Sequence, residues 1–187
     1  MRTYKRINEE YLELIDQNEY KDELSMNLDA NVDMLLHDRV PNIDFNLIQE
    51  PIYKVDDDTF LKILIKKCTD MYGYDCNLNW IDVSHIDNMA WLFSTSMFNG
   101  DISCWDVSRV TNMNCMFHRS NFDSDISKWN TACVKTMYQM FWHSSFNYDI
   151  SGWNVSRVTN HVDMFKGCPI KEEFKPHGFR DELPNKK

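Results

Sequence analysis

A chain of 187 residues with 43% hydrophobic and 13% aromatic residues has enough apolar material to bury a core, which argues against disorder of the whole chain. Its net charge of −9 is uneven, with −8 on residues 1–79, −2 on 80–168 and +1 on 169–187. There is no basic footprint to meet a phosphate backbone, so nucleic acid is not an expected partner, and no apolar run approaches the roughly 18 residues of a membrane helix.

The start, MRTYKRINEEYLELIDQ, carries basic residues but no apolar core of a signal peptide. The expected location is therefore intracellular or cytoplasmic, with association with a virion as the alternative. Residues 1–57 read as an acidic, mostly helical extension. Tyr11, Leu12 and Ile15 share one helical face, and Leu28, Val32, Leu35 and Leu36 share another within Asn8 to Arg39, stopped by Pro41. Ile43, Phe45 and Leu47 alternate with polar residues, and IYKV follows Pro51, so two short strands are expected there.

Residues 58–79 read as a capping helix and an entry to the first coil of a repeat. Asp56, Asp57 and Asp58 precede a stretch in which Phe60, Leu61, Leu64, Ile65, Cys68 and Met71 fall on one face. Carboxylates at that position satisfy free N–H groups and meet the positive end of the helix dipole, so capping is expected there and not a metal site. Gly73 is the natural stop.

From 80 to 168 one phrase recurs. Phe93, Phe117, Phe141 and Phe165 are 24 residues apart, and Trp80, Trp105, Trp129 and Trp153 run alongside them, as do Ile102, Ile126 and Ile150. A fixed period with the same apolar columns marks stacked coils, each unable to bury its apolar edge alone. D-I-S-x-W-D-V-S-x-V is expected to supply a strand, and the i, i+3, i+4 spacing in N-M-x-x-M-F a helical turn. The fold class predicted is an α/β repeat solenoid: about four 24-residue coils of strand plus short helical turn, an amphipathic N-terminal capping helix, and a mixed helical extension before it. Residues 169–187, where the pattern dies, read as a polar C-terminal cap or tail. The column Asp101, Asp125 and Asp149 reads as turn capping through side-chain hydrogen bonds, and Asn88, Asn112, Thr136 and Asn160 as an inward structural ladder.

The phrase FNGDISCWDVSRVTNMNCMF resembles the BspA-like surface-protein repeat, also known from Mycoplasma lipoproteins. So does the amphipathic helix ending in Tyr-Gly followed by W-D-V-S, and the likeness covers about residues 58–168. The resemblance implies a leucine-rich-repeat-like solenoid, no known enzymatic activity, and use as an adhesive or protein-binding surface. The sequence departs from the family pattern in WNTACVKTM, in His161 where a Met is usual, and in lacking a secretion signal.

No phosphate loop, dinucleotide fingerprint, nucleophile elbow or zinc-protease motif is present, so no catalytic residues, no cofactor and no metal are expected. His85, His118, His143 and His161, and the four of the six cysteines that fall within the repeats (Cys104, Cys115, Cys133 and Cys168), lie at differing repeat phases, where a ligand or disulfide framework would recur at a fixed one. Reduced thiols are expected. Trp91 shares a column with Cys115, Gln139 and Asp163, and Trp142 shares one with Ser94, His118 and Lys166. A large aromatic among polar phase-mates is not explained by packing, and Trp and Arg are favoured interface anchors. The expected protein-binding residues are therefore Trp91, His118, Arg119, Trp142 and His143. The expected function is a non-enzymatic protein–protein interaction module with a partner of unknown identity. The alternatives are a structural or minor subunit of a viral particle or larger assembly, docked through residues 1–57, and an acidic inhibitor of a host factor.

Overall fold

The computed structural model describes residues 53–54 and 58–179, all within the compact unit Phe45–Lys187. The helices expected between Asn8 and Arg39, the extended segment at 43–47 and the tail beyond Phe179 lie outside the described residues.

Strand β1 (Tyr53–Lys54) pairs in parallel with β2 (Ile81–Asp82), Tyr53 opposite Ile81 and Lys54 opposite Asp82. Between them runs helix α1 (Asp58–Tyr72). Its buried stripe is Leu61, Leu64, Ile65 and Cys68, while Lys62 and Lys66 face solvent and pair with Asp58 and Asp70 at 3.6 and 2.6 Å. Met71 and Lys67 are half-buried. Gly73, at φ +86°, turns the chain out of the helix, and its N–H closes on the Thr69 carbonyl at 3.0 Å. The following segment lies against the first repeat, with Asn99 and Asp101 donating N–H to the Tyr74 and Cys76 carbonyls at 2.9 and 3.2 Å. A Cβ on Gly100 would sit 1.9 Å from the Cys76 oxygen, so only glycine allows this approach.

The expectation of strand-plus-helix coils is corrected by the structure. Among the described residues α1 is the one α-helix, β1 and β2 are the only paired strands, and the repeats contain turns and isolated bridges. No leucine-rich-repeat-like solenoid of strand and helical turn is formed. The reason lies in local competition for the backbone. In D-I-S-x-W, the carboxylates of Asp101, Asp125 and Asp149 accept the N–H of Ser103, Ser127 and Ser151, each at 2.9 Å. The N–H groups of Trp105, Trp129 and Trp153 close further turns on Ile102, Ile126 and Ile150 at 3.2, 3.2 and 3.0 Å. Side-chain acceptors placed two residues upstream hold this β-branched phrase in turns, as the Asp column leads one to expect.

The N-M-x-x-M-F phrase fails to become helical because it contains left-handed residues. Trp91, Cys115, Gln139 and Asp163 have φ between 51 and 64°, and Thr95, Arg119 and His143 have φ between 51 and 57°. Each interrupts a right-handed turn. The segments 88–95, 112–119, 136–143 and 160–167 instead lie side by side as four rungs, joined by parallel bridges Asn88 to Asn112, Asn112 to Thr136 and Thr136 to Asn160.

The core sits behind the rungs as ladders of like side chains. Phe93, Phe117, Phe141 and Phe165 stack at centroid distances of 5.5, 5.4 and 5.9 Å, and Phe98, Phe122 and Phe146 stack at 6.2 Å. Ile102, Ile126 and Ile150 are fully buried, as are the rings of Phe93, Phe117 and Phe141, while Phe165 on the last rung is half-buried. The buried Trp80, Trp105, Trp129 and Trp153 form the adjoining column. The indole N–H of Trp105, Trp129 and Trp153 donates to the carbonyls of Leu78, Ile102 and Ile126 at 2.9, 3.1 and 3.2 Å.

The Asn column is not inward. Asn88 and Asn112 are half-buried and Asn160 exposed, and each accepts the N–H two residues on. Thr136 lacks that acceptor, and Asn114 from the preceding rung replaces it by accepting the Tyr138 N–H at 2.9 Å.

Candidate functional site

The rungs that bury phenylalanine on one side display other residues on the opposite side. His118 and Trp142 share a phase on successive rungs, so their rings stack at 4.7 Å and 9°. Trp91, on the first rung, tilts onto His118 at 5.7 Å. The Arg119 guanidinium lies 4.8 Å from the centre of the Trp142 ring, and His143 meets that ring edge-on at 4.0 Å. The five residues singled out from sequence thus lie in one continuous patch. Trp91 is 56% exposed, Arg119 and His143 are exposed, and His118 and Trp142 are half-buried.

The backbone fixes this arrangement. Thr95 donates its N–H to the His118 carbonyl at 2.7 Å and Arg119 to the Trp142 carbonyl at 2.8 Å, setting each pair of neighbouring rungs in register. His143 rests on Gly167, where a Cβ would come within 2.6 Å of Nδ1. Trp91, Arg119 and His143 are left-handed, but so are their phase-mates on other rungs, so this strain belongs to the fold and marks no function.

Burial depresses the basicity of His118, and the positive charges of Arg119 and His143 depress it further. Its buried Nδ1 has no hydrogen-bond partner. A neutral imidazole between two indoles, flanked by a cation, gives an aromatic platform suited to an aliphatic, aromatic or carboxylate-bearing side chain.

Sequence reasoning missed further exposed apolar residues, Tyr72, Tyr74 and Met97 at 43, 50 and 54% exposure. Tyr74 and Met97 edge a groove of about 280 Å³ between α1 and the first rung, with Lys62 and Lys66 on its helix side. The signal was present for Met97, whose phase-mates Asn121 and Ser145 are polar, as for Trp91. A further open groove of about 310 Å³ is lined by Asp101, Ser103, Ser124, Asp125, Lys128 and Tyr148.

Chemistry finds little else to work with. The six cysteines are free thiols; burial pushes Cys76 up to about 11 and raises Cys68 and Cys168 as well. Among the described residues no three His, Cys, Asp or Glu side chains are grouped to hold a metal ion, and no helix is long and apolar enough to cross a membrane.

Fold and surface together define a protein of tandem 24-residue repeats built on an aromatic core, with α1 ahead of them as the one α-helix among the described residues. The chain belongs to the family described as Mycoplasma protein of unknown function, DUF285, whose model matches residues 60–175. No curated protein and no solved structure matches it.

Proposed function

We propose that the protein binds another protein without catalysing a reaction, through the patch of Trp91, His118, Arg119, Trp142 and His143. The observation that carries this reading is the ring stack of Trp91 on His118 on Trp142 on a solvent-facing side of rungs whose opposite side is fully explained by packing. Rigid aromatic residues with a neighbouring Arg supply contact area at low entropic cost, the chemistry of interface anchors. The resemblance to BspA-like surface repeats supports an adhesive or protein-binding role, and the free thiols, exposed Cys104 among them, fit reducing intracellular surroundings.

Affinity capture with the full chain, compared with Trp91→Ser and with the Trp91→Ser, Trp142→Ser double variant, tests the proposal. Proteins retained by the parent chain should be lost from both variants while the melting temperature of Trp91→Ser is unchanged. Retention of the same proteins by a folded double variant removes the patch from the function.

A further inference from the structure

Charge is distributed unevenly between the rungs and the rest of the chain. Segments 88–95, 112–119, 136–143 and 160–167 contain His118, Arg119, His143, His161 and Lys166, and their one carboxylate is Asp163. That carboxylate is engaged by Lys166 at 3.6 Å on the last rung. In a chain with 29 acidic against 20 basic residues, the rungs that bear the ring stack are thus nearly free of acid. The fold does not ask for this. What it demands at the phase of Arg119 is left-handed backbone, and Thr95, His143 and Gly167 meet that demand on the other rungs.

Arg119 is where the excess of positive charge meets the aromatic stack. Its backbone N–H is fixed to the Trp142 carbonyl at 2.8 Å, and its guanidinium lies 4.8 Å from the centre of the Trp142 ring, so both ends of the residue are held against the same partner. The residue is exposed, and its guanidinium has neither an ion pair nor a hydrogen bond to answer it. A guanidinium stays charged at any working pH and presents its donors as a planar fork that matches the two oxygens of a carboxylate. Held on an indole, it has less side-chain freedom left to lose when such a group arrives. The surroundings add to the attraction, since the charges that keep His118 neutral, after burial itself, are those of Arg119 and His143.

We infer that the patch takes an acidic peptide segment of another protein in which carboxylates flank an aromatic residue: a carboxylate pairs with the Arg119 guanidinium and the aromatic ring covers Trp91, which is 56% exposed. This partner chemistry deepens, and rests on, the binding of a protein at the patch. Two costs select it. A cationic side chain is repelled by Arg119, and a wholly apolar one would cover the guanidinium without supplying an acceptor, which leaves a desolvated charge unpaired.

Titration of the full chain with the blocked peptides Gly-Glu-Phe-Glu-Gly, Gly-Gln-Phe-Gln-Gly and Gly-Lys-Phe-Lys-Gly, followed through the indole N–H signals of Trp91 and Trp142 by NMR, tests the inference. The Glu peptide should bind about tenfold more tightly than the Gln peptide, as expected of a charge-assisted fork, and the Lys peptide should leave the signals in place. Arg119→Gln should erase the preference for Glu over Gln without changing the melting temperature, because Gln139 already occupies left-handed backbone in the neighbouring column. Arg119→Lys, which keeps the charge and loses the fork, should reduce the preference. Equal binding of the Glu and Gln peptides by the parent chain, or a preference that survives in Arg119→Gln, overturns the inference. So does dimerisation of the parent chain that Arg119→Gln abolishes, since a second copy would then be the occupant. Partner capture lost in Trp91→Ser but kept in Arg119→Gln also overturns it and leaves protein binding at the patch standing. Capture kept by the folded Trp91→Ser, Trp142→Ser double variant overturns the protein-binding reading itself, whatever the peptides do.

Discussion

Two aromatic stacks run across the same rungs. Phe93, Phe117, Phe141 and Phe165 recur at one phase, are parallel within 7°, and are buried except at the last rung. Trp91, His118 and Trp142 come from two phases, meet at mixed angles, and lie toward solvent. The first stack is what every rung requires of its neighbours, so identical rungs produce identical rings. The second exists at one place only, because the fold does not require it. Repetition in this chain tracks packing, and departures from repetition track what the surface is free to do.

The contrast is broken most severely from the buried side. Phe117→Ala removes a fully buried ring that touches Phe93, Phe122 and Phe141, and should cost about 3–5 kcal/mol in urea unfolding. Phe165→Ala, the same change at the half-buried end of the ladder, should cost clearly less; equal losses would mean the last rung is as enclosed as the middle ones. Next in size is Trp105→Phe, which keeps the ring but leaves the Leu78 carbonyl without its indole donor, an expected loss of about 1–3 kcal/mol.

The same distinction governs how much of the fold is legible in the sequence. The apolar columns are legible because burial repeats with the period, and α1 with its Gly73 stop is legible because helical spacing and a left-handed glycine act locally. The secondary structure of the repeats is not. Asp101, Asp125 and Asp149 identify themselves as turn-makers, yet the β-branched composition after them points to a strand, and in the fold the side-chain acceptor wins. Left-handed backbone at Trp91, Cys115, Gln139 and Asp163 carries no residue signature at all. Only Gly167, in the neighbouring left-handed column, betrays such a position by composition. The five patch residues stand out because they break the columns, whereas their ring-on-ring order depends on a rung register that spacing alone does not define.

Smaller effects sharpen the idea that left-handed positions are demands of the fold. Gln139 is half-buried at φ 51°, and its N–H bond to Val162 would survive loss of the side chain. Gln139→Gly should therefore be neutral or stabilising by up to about 1 kcal/mol, since relief of left-handed strain outweighs the entropy of an added glycine. Trp91→Ser should shift stability by no more than about 0.5 kcal/mol, as for most exposed substitutions, although it occupies the same column. A loss comparable to Phe117→Ala would mean that the surface stack is a second core.

The smallest expected effect is a titration. His118 in the folded chain is held below the ordinary histidine value of 6.5 by burial first and then by Arg119 and His143. The unfolded chain takes up its proton near 6.5 and the folded chain only at lower pH, so between those values the unfolded state binds more protons and stability rises with pH. The contribution is fully present above 6.5 and is lost as pH falls below it. Carboxylates such as Asp106, whose titration the Ser108 hydroxyl and N–H hold down, change charge at lower pH, and groups common to both chains cancel when a variant lacking His118 is compared with the parent. Replacing His118 by Phe keeps a ring between Trp91 and Trp142 while removing the titrating group. Melting temperatures of parent and His118→Phe chains should thus run parallel above pH 6.5 and diverge below it, the parent falling faster. Parallel curves throughout would show that protonated His118 is accommodated beside Arg119 and His143, and that the patch is open to solvent on a side its stacking does not reveal.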